Sequence, residues 1–328
     1  FIMRKKTILI TGATGFIGSF LCELSIKKGY NVIAFDRYNR EHNLGNLEQS
    51  KYKNKIKFIF GDIRDYDSVF KAVKNADIIF HLAALIGIPY SYFSPLAYLK
   101  TNVEGTYNVL ESCKNLSKKK IIITSTSENY GSPIKIPIKE NHRLMGQSPY
   151  SASKISADQI AISYNRSFNL PVKILRPFNT YGPRQSSRAI IPTIISQALT
   201  AKKFIYLGNL NTSRDYTYVA DTCESYFKIL NLEKFNGIPV NVGSGKDIKI
   251  IELAKLIIKM INPKLKIKID KSRVRPIKSE VDKLVCDNKL ILKNTKWKPK
   301  VKFKDGIKFT IEWMKKNFKS INKNIYHI

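Results

Sequence analysis

Tyr150 and Lys154, separated by Ser-Ala-Ser, place a phenol and an ammonium one turn apart on one face of a helix. A lysine held there favours tyrosinate, which would make Tyr150 a base for a substrate hydroxyl whose carbon gives up hydride. The same spacing occurs by chance on many amphipathic helices, so its meaning depends on the elements before it. Upstream, the apolar run Lys120 to Thr124 leads into Ser125-Thr-Ser-Glu-Asn-Tyr-Gly131. Thr126, Ser127 and Glu128 then stand at the C-terminal edge of a sheet, where open α/β folds bind ligands. Serines and threonines at strand ends are often turn formers only. Glu128 resists that explanation, because an apolar cleft floor is a poor place for an unpaired carboxylate.

Hydride chemistry needs an acceptor, and Gly12, Gly15 and Gly18 supply a place for one. They lie between a short strand at 7–11 and a helix from Phe16 to Lys28 that ends at Gly29. Gly12 makes the turn, Gly15 lets the backbone approach a pyrophosphate, and Gly18 allows the helix to pack tightly on the sheet. Asp36 ends the second strand, Asn31 to Asp36, 18 positions after Gly18. Its carboxylate would accept hydrogen bonds from a ribose diol and repel a 2′-phosphate, so NAD is expected before NADP; Arg37 is the feature that argues the other way.

The elements that must position these groups alternate. Strand Ile56 to Phe60, helix Asp67 to Asn75, strand Ile78 to Leu82, a long helix from about Pro95 to Leu116, strand Lys120 to Thr124, helix Tyr150 to Asn169 and strand Val172 to Arg176 follow in order. Such alternation predicts an α/β fold, a Rossmann doubly wound parallel sheet covered on both faces. Beyond Arg176 the pattern is broken by Pro177, Pro183 and Pro192, so a smaller, mixed α/β substrate domain is expected there. The predicted division is residues 3–178 for the NAD-binding domain and 179–328 for the smaller one. The two interleave, because Asp215 to Leu230 and Pro239 to Gly243 still read as sheet and would return the segment 215–245 to the first domain.

Composition limits the other possibilities. Of 328 residues, 43% are hydrophobic, while 57 Lys and Arg against 25 Asp and Glu give a net charge of +32. The lysines are scattered through helices and strands alike, with neither a basic-aromatic motif nor a basic tail, so a nucleic-acid partner is not expected. No apolar run approaches the length of a membrane span, and residues 1–6 lack the features of a signal peptide, which predicts a cytoplasmic protein with no membrane partner. Cys22, Cys113, Cys223 and Cys286 form no CxxC pair, so free thiols and no metal site are expected.

Several longer motifs together resemble the extended short-chain dehydrogenases/reductases of the NAD-dependent epimerase/dehydratase family, which act on nucleotide sugars. They are Thr11-Gly-Ala-Thr-Gly-Phe-Ile-Gly18, Gly61-Asp-Ile-Arg-Asp65, His81-Leu-Ala-Ala84, Tyr150 with Lys154, Arg176-Pro-Phe-Asn-Thr-Tyr-Gly-Pro-Arg184 and Arg214-Asp-Tyr-Thr-Tyr-Val219. Thr126-Ser-Glu128 resembles the 4,6-dehydratases. The stretches 84–91, 176–192 and Arg275-Pro-Ile-Lys-Ser-Glu-Val281 are similar to the branch serving legionaminic-acid biosynthesis.

The resemblance implies a GDP- or UDP-linked N-acetylhexosamine substrate, with Arg275 to Val281 tilting the choice towards GDP. Tyr150, helped by Thr126, would take the O4 proton while the C4 hydride goes to NAD. Glu128 would remove the C5 proton, water would leave from C6, and hydride would return there with no net redox change. Many dTDP-glucose dehydratases have Asp where Ser127 stands, so the acid for the departing hydroxyl would here be Glu128, with Ser127 relaying. The resemblance further places Thr14, Phe16, Ile17, Asp62, Ile63, Leu82, Ala83 and Ala84 beside NAD. Ser91, Asn179, Arg184, Arg214, Arg275 and Glu280 would face the sugar nucleotide, and the chain would form a homodimer. His81 reads as a packed strand-end residue. The rival readings are a UDP-glucuronate decarboxylase, whose members also carry Thr-Ser-Glu, a nucleotide-sugar 4-epimerase, and a non-catalytic NAD-sensing or RNA-binding protein.

Overall fold

The computed structural model of the chain describes residues 4–117, 119–274 and 276–317. Its first half is a regular alternation: β1 (Thr7–Thr11), α1 (Phe16–Lys27), β2 (Asn31–Asp36), β3 (Ile56–Phe60), α2 (Tyr66–Lys74), β4 (Ile78–His81), α3 (Ile88–Phe93), α4 (Pro95–Tyr98), α5 (Gly105–Asn115), β5 (Lys120–Thr124), α6 (Pro149–Phe168) and β6 (Val172–Pro177). The long helix expected from Pro95 to Leu116 is interrupted by a π-helical stretch, Leu99–Glu104, between α4 and α5. That widened turn carries the buried Asn102.

After β6 come β7 (Asn179–Tyr181), α7 (Ile190–Thr200), β8 (Phe204–Leu207), β9 (Ser213–Tyr218), α8 (Val219–Ile229), β10 (Pro239–Val242), β11 (Asp247–Lys249), α9 (Ile250–Ile261), β12 (Lys266–Ile269), β13 (Lys283–Leu284), α10 (Lys289–Asn294) and α11 (Phe303–Lys316).

Seven parallel strands form the main sheet in the order β10-β6-β5-β4-β1-β2-β3. Strand periodicity explains how it is covered. Ile8 and Ile10 point to one face and Leu9 to the other, so the central strands need apolar residues at every position. Leu21 and Cys22 of α1 with Val219, Cys223, Tyr226 and Ile229 of α8 pack on the first face. Val69, Ala72 and Val73 of α2, Val109 and Leu110 of α5, and Ala161 and Tyr164 of α6 pack on the second. Local signals set the helix starts: Asp65 caps α2 by accepting from Asp67 N, and Ser148 with Ser151 forms a reciprocal capping box on α6.

The remaining strands make two small sheets, β11-β9-β13 with β7 on β9, and β12-β8. A third core, including Ile194, Ile195, Leu253, Ile257, Ile307 and Ile311, lies under α7, α9 and α11. Pro239–Val242 rejoins the main sheet as expected, but the reading of Asp215 to Leu230 needs correction. Its first residues belong to a small sheet and the rest is α8, which docks on α1. Consecutive buried polar residues in 213–217 hid the boundary, since a strand covered on both sides shows no alternation. The later segment around α10 also returns, through Ile291 and Trp297, to the core of the main sheet.

Trp297 is 3% exposed and donates its indole N–H to the Asp221 carbonyl at 2.8 Å. Trp297→Ala should lower unfolding free energy by about 3–5 kcal/mol, read from the denaturant midpoint; a loss under ~1 kcal/mol would mean that this segment is not part of the main core.

Candidate active site

The chain winds outward from β1 through β2 to β3 and then resumes at β4 on the other side of β1, so a crevice opens at the C-terminal ends of β1 and β4. Gly12 turns there with φ +67°, and a Cβ on it would sit 2.9 Å from the Ala83 backbone nitrogen. A Cβ on Gly18 would lie 2.2 Å from the Gly12 carbonyl oxygen, and one on Gly15 would lie 3.2 Å from it. Only glycine fits at 12 and 18. Helix α1 starts at Phe16 without a side-chain cap, which leaves the N–H groups of its first turn directed at this crevice. These features suit a dinucleotide pyrophosphate.

Asp36 is nearby, but part of its acceptor capacity is already engaged. Oδ2 accepts from the Thr14 amide at 2.8 Å and the Thr14 hydroxyl at 2.7 Å, and Oδ1 accepts from the Arg37 amide at 2.8 Å. Four lone-pair directions leave room for a ribose hydroxyl. Asp62 is held by Arg64 through Nε and Nη2 at 2.9 and 2.6 Å, which keeps its carboxyl below the usual range. Ile63 is buried against Gly105, and Asn108 donates to its carbonyl at 3.0 Å.

Across the crevice, the turn after β5 and the first two turns of α6 come together. Tyr150 is 7% exposed, and Thr126 lies close enough to its phenol to favour the ionised form. Thr126 also caps the short helical turn beginning at Ser127 by accepting from the Glu128 amide at 3.2 Å. Ser127 is buried, whereas Glu128 is half-buried and close enough for its charge to act on the Tyr150 phenol. Lys154 donates to the Thr124 carbonyl at 2.6 Å.

Burial acts on both members of the Tyr150–Lys154 pair. It drives the phenol well above its ordinary pKa; Thr126 opposes this, while Glu128, Tyr98 and Asp158 add to it. Burial likewise pushes Lys154 down to about 8, with the Asp158 carboxylate opposing. Low dielectric penalises both charged forms.

Two further partners were not legible beforehand. Asn102, 1% exposed, accepts from Leu85 N and donates to Leu85 O and to Ser153 Oγ, tying the Ala84 corner to α6. Tyr98 packs edge-on to Tyr150 with ring centroids 6.2 Å apart and donates to the Gly87 carbonyl at 2.5 Å. Neither residue type at its helical position distinguishes itself from an ordinary packed side chain. A cavity of about 300 Å³, lined by Ala84, Leu85, Ile86, Gly87, Tyr90, Tyr98 and Arg188, opens beside them.

The residues expected to face the sugar nucleotide separate into groups. Arg214 and Glu280 are brought together at 3.4 Å, and Glu280 lines a second cavity of about 340 Å³ with Ser132, Gln147, Asn209, Val274, Lys278 and Asp282. Asn179 has a buried Oδ1 with no hydrogen-bond partner among the described residues. Arg184 is instead committed to α1, pairing with Glu23 at 2.9 Å and lying over the Phe20 ring at 4.8 Å. Ser91 is fully buried and donates to the Ile88 carbonyl within its own helix at 2.6 Å, which leaves no hydroxyl exposed to a ligand. Arg275 lies outside the described residues. His81 is packed, as expected, between Thr11 and Thr106 at 2.8 and 3.1 Å.

Residues 9–310 match the family described as GDP-mannose 4,6 dehydratase. Human dTDP-D-glucose 4,6-dehydratase is 30% identical over 322 residues, covering 95% of this chain and 91% of that protein. DesIV, the dTDP-glucose 4,6-dehydratase of Streptomyces venezuelae solved with NAD and TYD bound, superposes with a TM-score of 0.86 at 26% identity, over 96% of this chain and 98% of that one. The UDP-N-acetylglucosamine 4-epimerase of Methanobrevibacter ruminantium M1, solved with UDP-N-acetylmuramic acid, gives 0.84 at 29% identity, over 96% and 100%.

Burial lowers the His81 imidazole to about 3. Between that value and the unfolded value near 6.5, the unfolded chain carries the extra proton, so stability should fall as pH drops through this window, by up to ~1.4 kcal/mol per pH unit from this residue. Denaturant unfolding of the parent and His81→Gln between pH 4 and 7 should show a shallower slope in the variant; equal slopes would contradict a buried neutral imidazole.

Proposed function

Because the chain belongs to the GDP-mannose 4,6-dehydratase-like family of extended short-chain dehydrogenases/reductases, the nucleotide-sugar epimerases and dehydratases, we propose that it is a nucleotide-sugar 4,6-dehydratase acting on GDP- or UDP-N-acetylglucosamine. The cofactor is NAD, which, when bound, supplies a hydride acceptor that later gives the hydride back. Gly12, Thr14, Gly15, Phe16, Ile17 and Gly18 hold its pyrophosphate, Asp36 its ribose, and Asp62 and Ile63 its adenine. Leu82, Ala83 and Ala84 line the same crevice where β4 ends.

The observation that carries the dehydratase reading is Glu128. It shares a turn with Thr126, and both side chains act on the Tyr150 phenol. Tyr150, in the ionised form that the neighbouring Lys154 charge favours against burial, takes the sugar O4 proton as C4 is oxidised. The C4 ketone acidifies C5, Glu128 removes that proton, and the same carboxyl returns it to the C6 hydroxyl leaving as water; C6 then regains the hydride and C5 a proton equivalent to the one Tyr150 took, so the sum is the loss of one water. Ser127, next to it, is the relay. Lys154, anchored on the Thr124 carbonyl, keeps a positive charge on the Tyr150 face of α6. A 4-epimerase would give Glu128 no such task. Arg214, Asn179 and Glu280 hold the nucleotide portion, where a guanidinium can take phosphate oxygens in a bidentate manner.

Purified protein incubated separately with UDP- and GDP-N-acetylglucosamine should yield a product lighter by one water in mass spectrometry. Loss of CO₂ from UDP-glucuronate, or a C4 epimer with no mass change, would replace this reading by one of its rivals. Glu128→Gln should lower elimination by about 10²- to 10⁴-fold, the range of general acid–base catalysis, while C4 oxidation persists as a rise in absorbance of reduced cofactor. Turnover at the parent rate would remove Glu128 from the mechanism.

A further inference from the structure

The side chains assigned to chemistry sit on two elements, Thr126, Ser127 and Glu128 on the turn after β5, and Tyr150 and Lys154 on α6. A buried carboxylate joins the two. Asp158 follows Lys154 by one turn of α6 and is completely buried. Its Oδ2 accepts from Ser125 Oγ at 2.7 Å, Asn129 Nδ2 at 3.0 Å and Arg176 Nε at 2.9 Å. Ser125 and Asn129 bracket Thr126 to Glu128, and Asn129 Nδ2 also reaches Ser125 Oγ at 3.0 Å.

Arg176, on β6, is itself 1% exposed. It donates to Tyr130 Oη at 3.0 Å and lies 5.1 Å from the centroid of that ring, while Tyr130 donates to Asn241 on β10 at 2.7 Å. The cluster therefore links the turn to α6, β6 and β10. A buried ion pair contributes little net stability over an apolar replacement, because desolvation offsets its attraction. What it supplies is a fixed geometry: three donors converging on one oxygen allow very little movement of the groups that bear them.

We propose that Asp158 and Arg176 are positioning residues that clamp the 125–130 turn onto α6, keeping Thr126 and Glu128 beside Tyr150. The proposal rests on the roles given above to Tyr150 and Glu128. Removing the clamp leaves the cofactor crevice and both cavities intact but lets the turn move relative to the phenol.

Hydrogen exchange with mass spectrometry reads that movement without any substrate. In Asp158→Asn, amides of 125–131, among them Asn129 N bonded to Thr126 O and Gly131 N bonded to Glu128 O, should exchange at least about tenfold faster than in the parent, with peptides of β1 to β4 unchanged. With UDP- and GDP-N-acetylglucosamine as probes, kcat should fall by about ten- to a hundredfold while KM stays within about twofold. Arg176→Lys, which keeps the charge but loses the second donor, should be intermediate. Ser125→Ala, which preserves the ion pair and serves if Asp158→Asn does not fold, should speed exchange of the same peptide by about threefold or more. Parent-like exchange of 125–131 in Ser125→Ala and in any folded Asp158 variant would overturn the clamp, whatever happens to Tm. Tyr150→Phe, run in parallel, separates the two ideas: if it keeps full turnover the proposed function fails, while the exchange result still decides the clamp.

Discussion

Between the ends of β1 and β4 the backbone passes so close that position 12 tolerates no side chain against Ala83. The rest of the site depends on this close approach. A parallel sheet whose winding reverses beside β1 has a crevice there, and the crevice is narrow because Gly12 turns with positive φ and Gly18 lets α1 sit directly on that turn. Polar ties fix its walls. Thr11 Oγ1 accepts from the amides of Leu82 and Ala83, and Asp36 holds Thr14 through two bonds. One wall is therefore set by β1, β2 and β4 together, whatever the smaller sheets do.

The opposite wall follows different physics. Charged and titratable groups are buried there, and both members of the Tyr150–Lys154 pair are pulled towards their neutral forms, Lys154 down to about 8 and Tyr150 upward. Such shifts concentrate where a site excludes water. Asp158 and Arg176 are the counterweight, a buried pair whose hydrogen bonds hold the turn beneath the phenol.

Arginines connect the smaller sheets to this frame. Arg184 follows β7 and pairs with Glu23 on α1, so the cofactor helix and the chain leaving the main sheet are coupled. Arg214 on β9 donates to the Glu280 carboxylate and to the carbonyls of Ser213 and Asp282. In a chain with a net charge of +32, acidic partners are scarce. Of the buried carboxylates among the described residues, Asp158, Asp215 and Asp221 each hold several donors or a returning backbone segment.

Sequence alone determined the parts governed by local chemistry. The glycine turn, the strand-helix alternation through β6, the acid at the end of β2, and the Tyr150 and Glu128 segments could be read because turn sterics and the periods of strand and helix act over a few residues. Return of the chain to the main sheet was only partly legible. Pro239–Val242 shows as a strand, but 213–229 reads ambiguously until the small sheet claims its first half and α1 its second. Arg184 and Ser91 were assigned to a ligand from their neighbours in sequence, and packing gave them other partners. Tertiary structure alone decided Asn102, Tyr98 and the Asp158–Arg176 cluster. Their significance comes from low dielectric and from hydrogen bonds that join residues up to 111 positions apart, and no local pattern records which distant groups will meet once water is excluded.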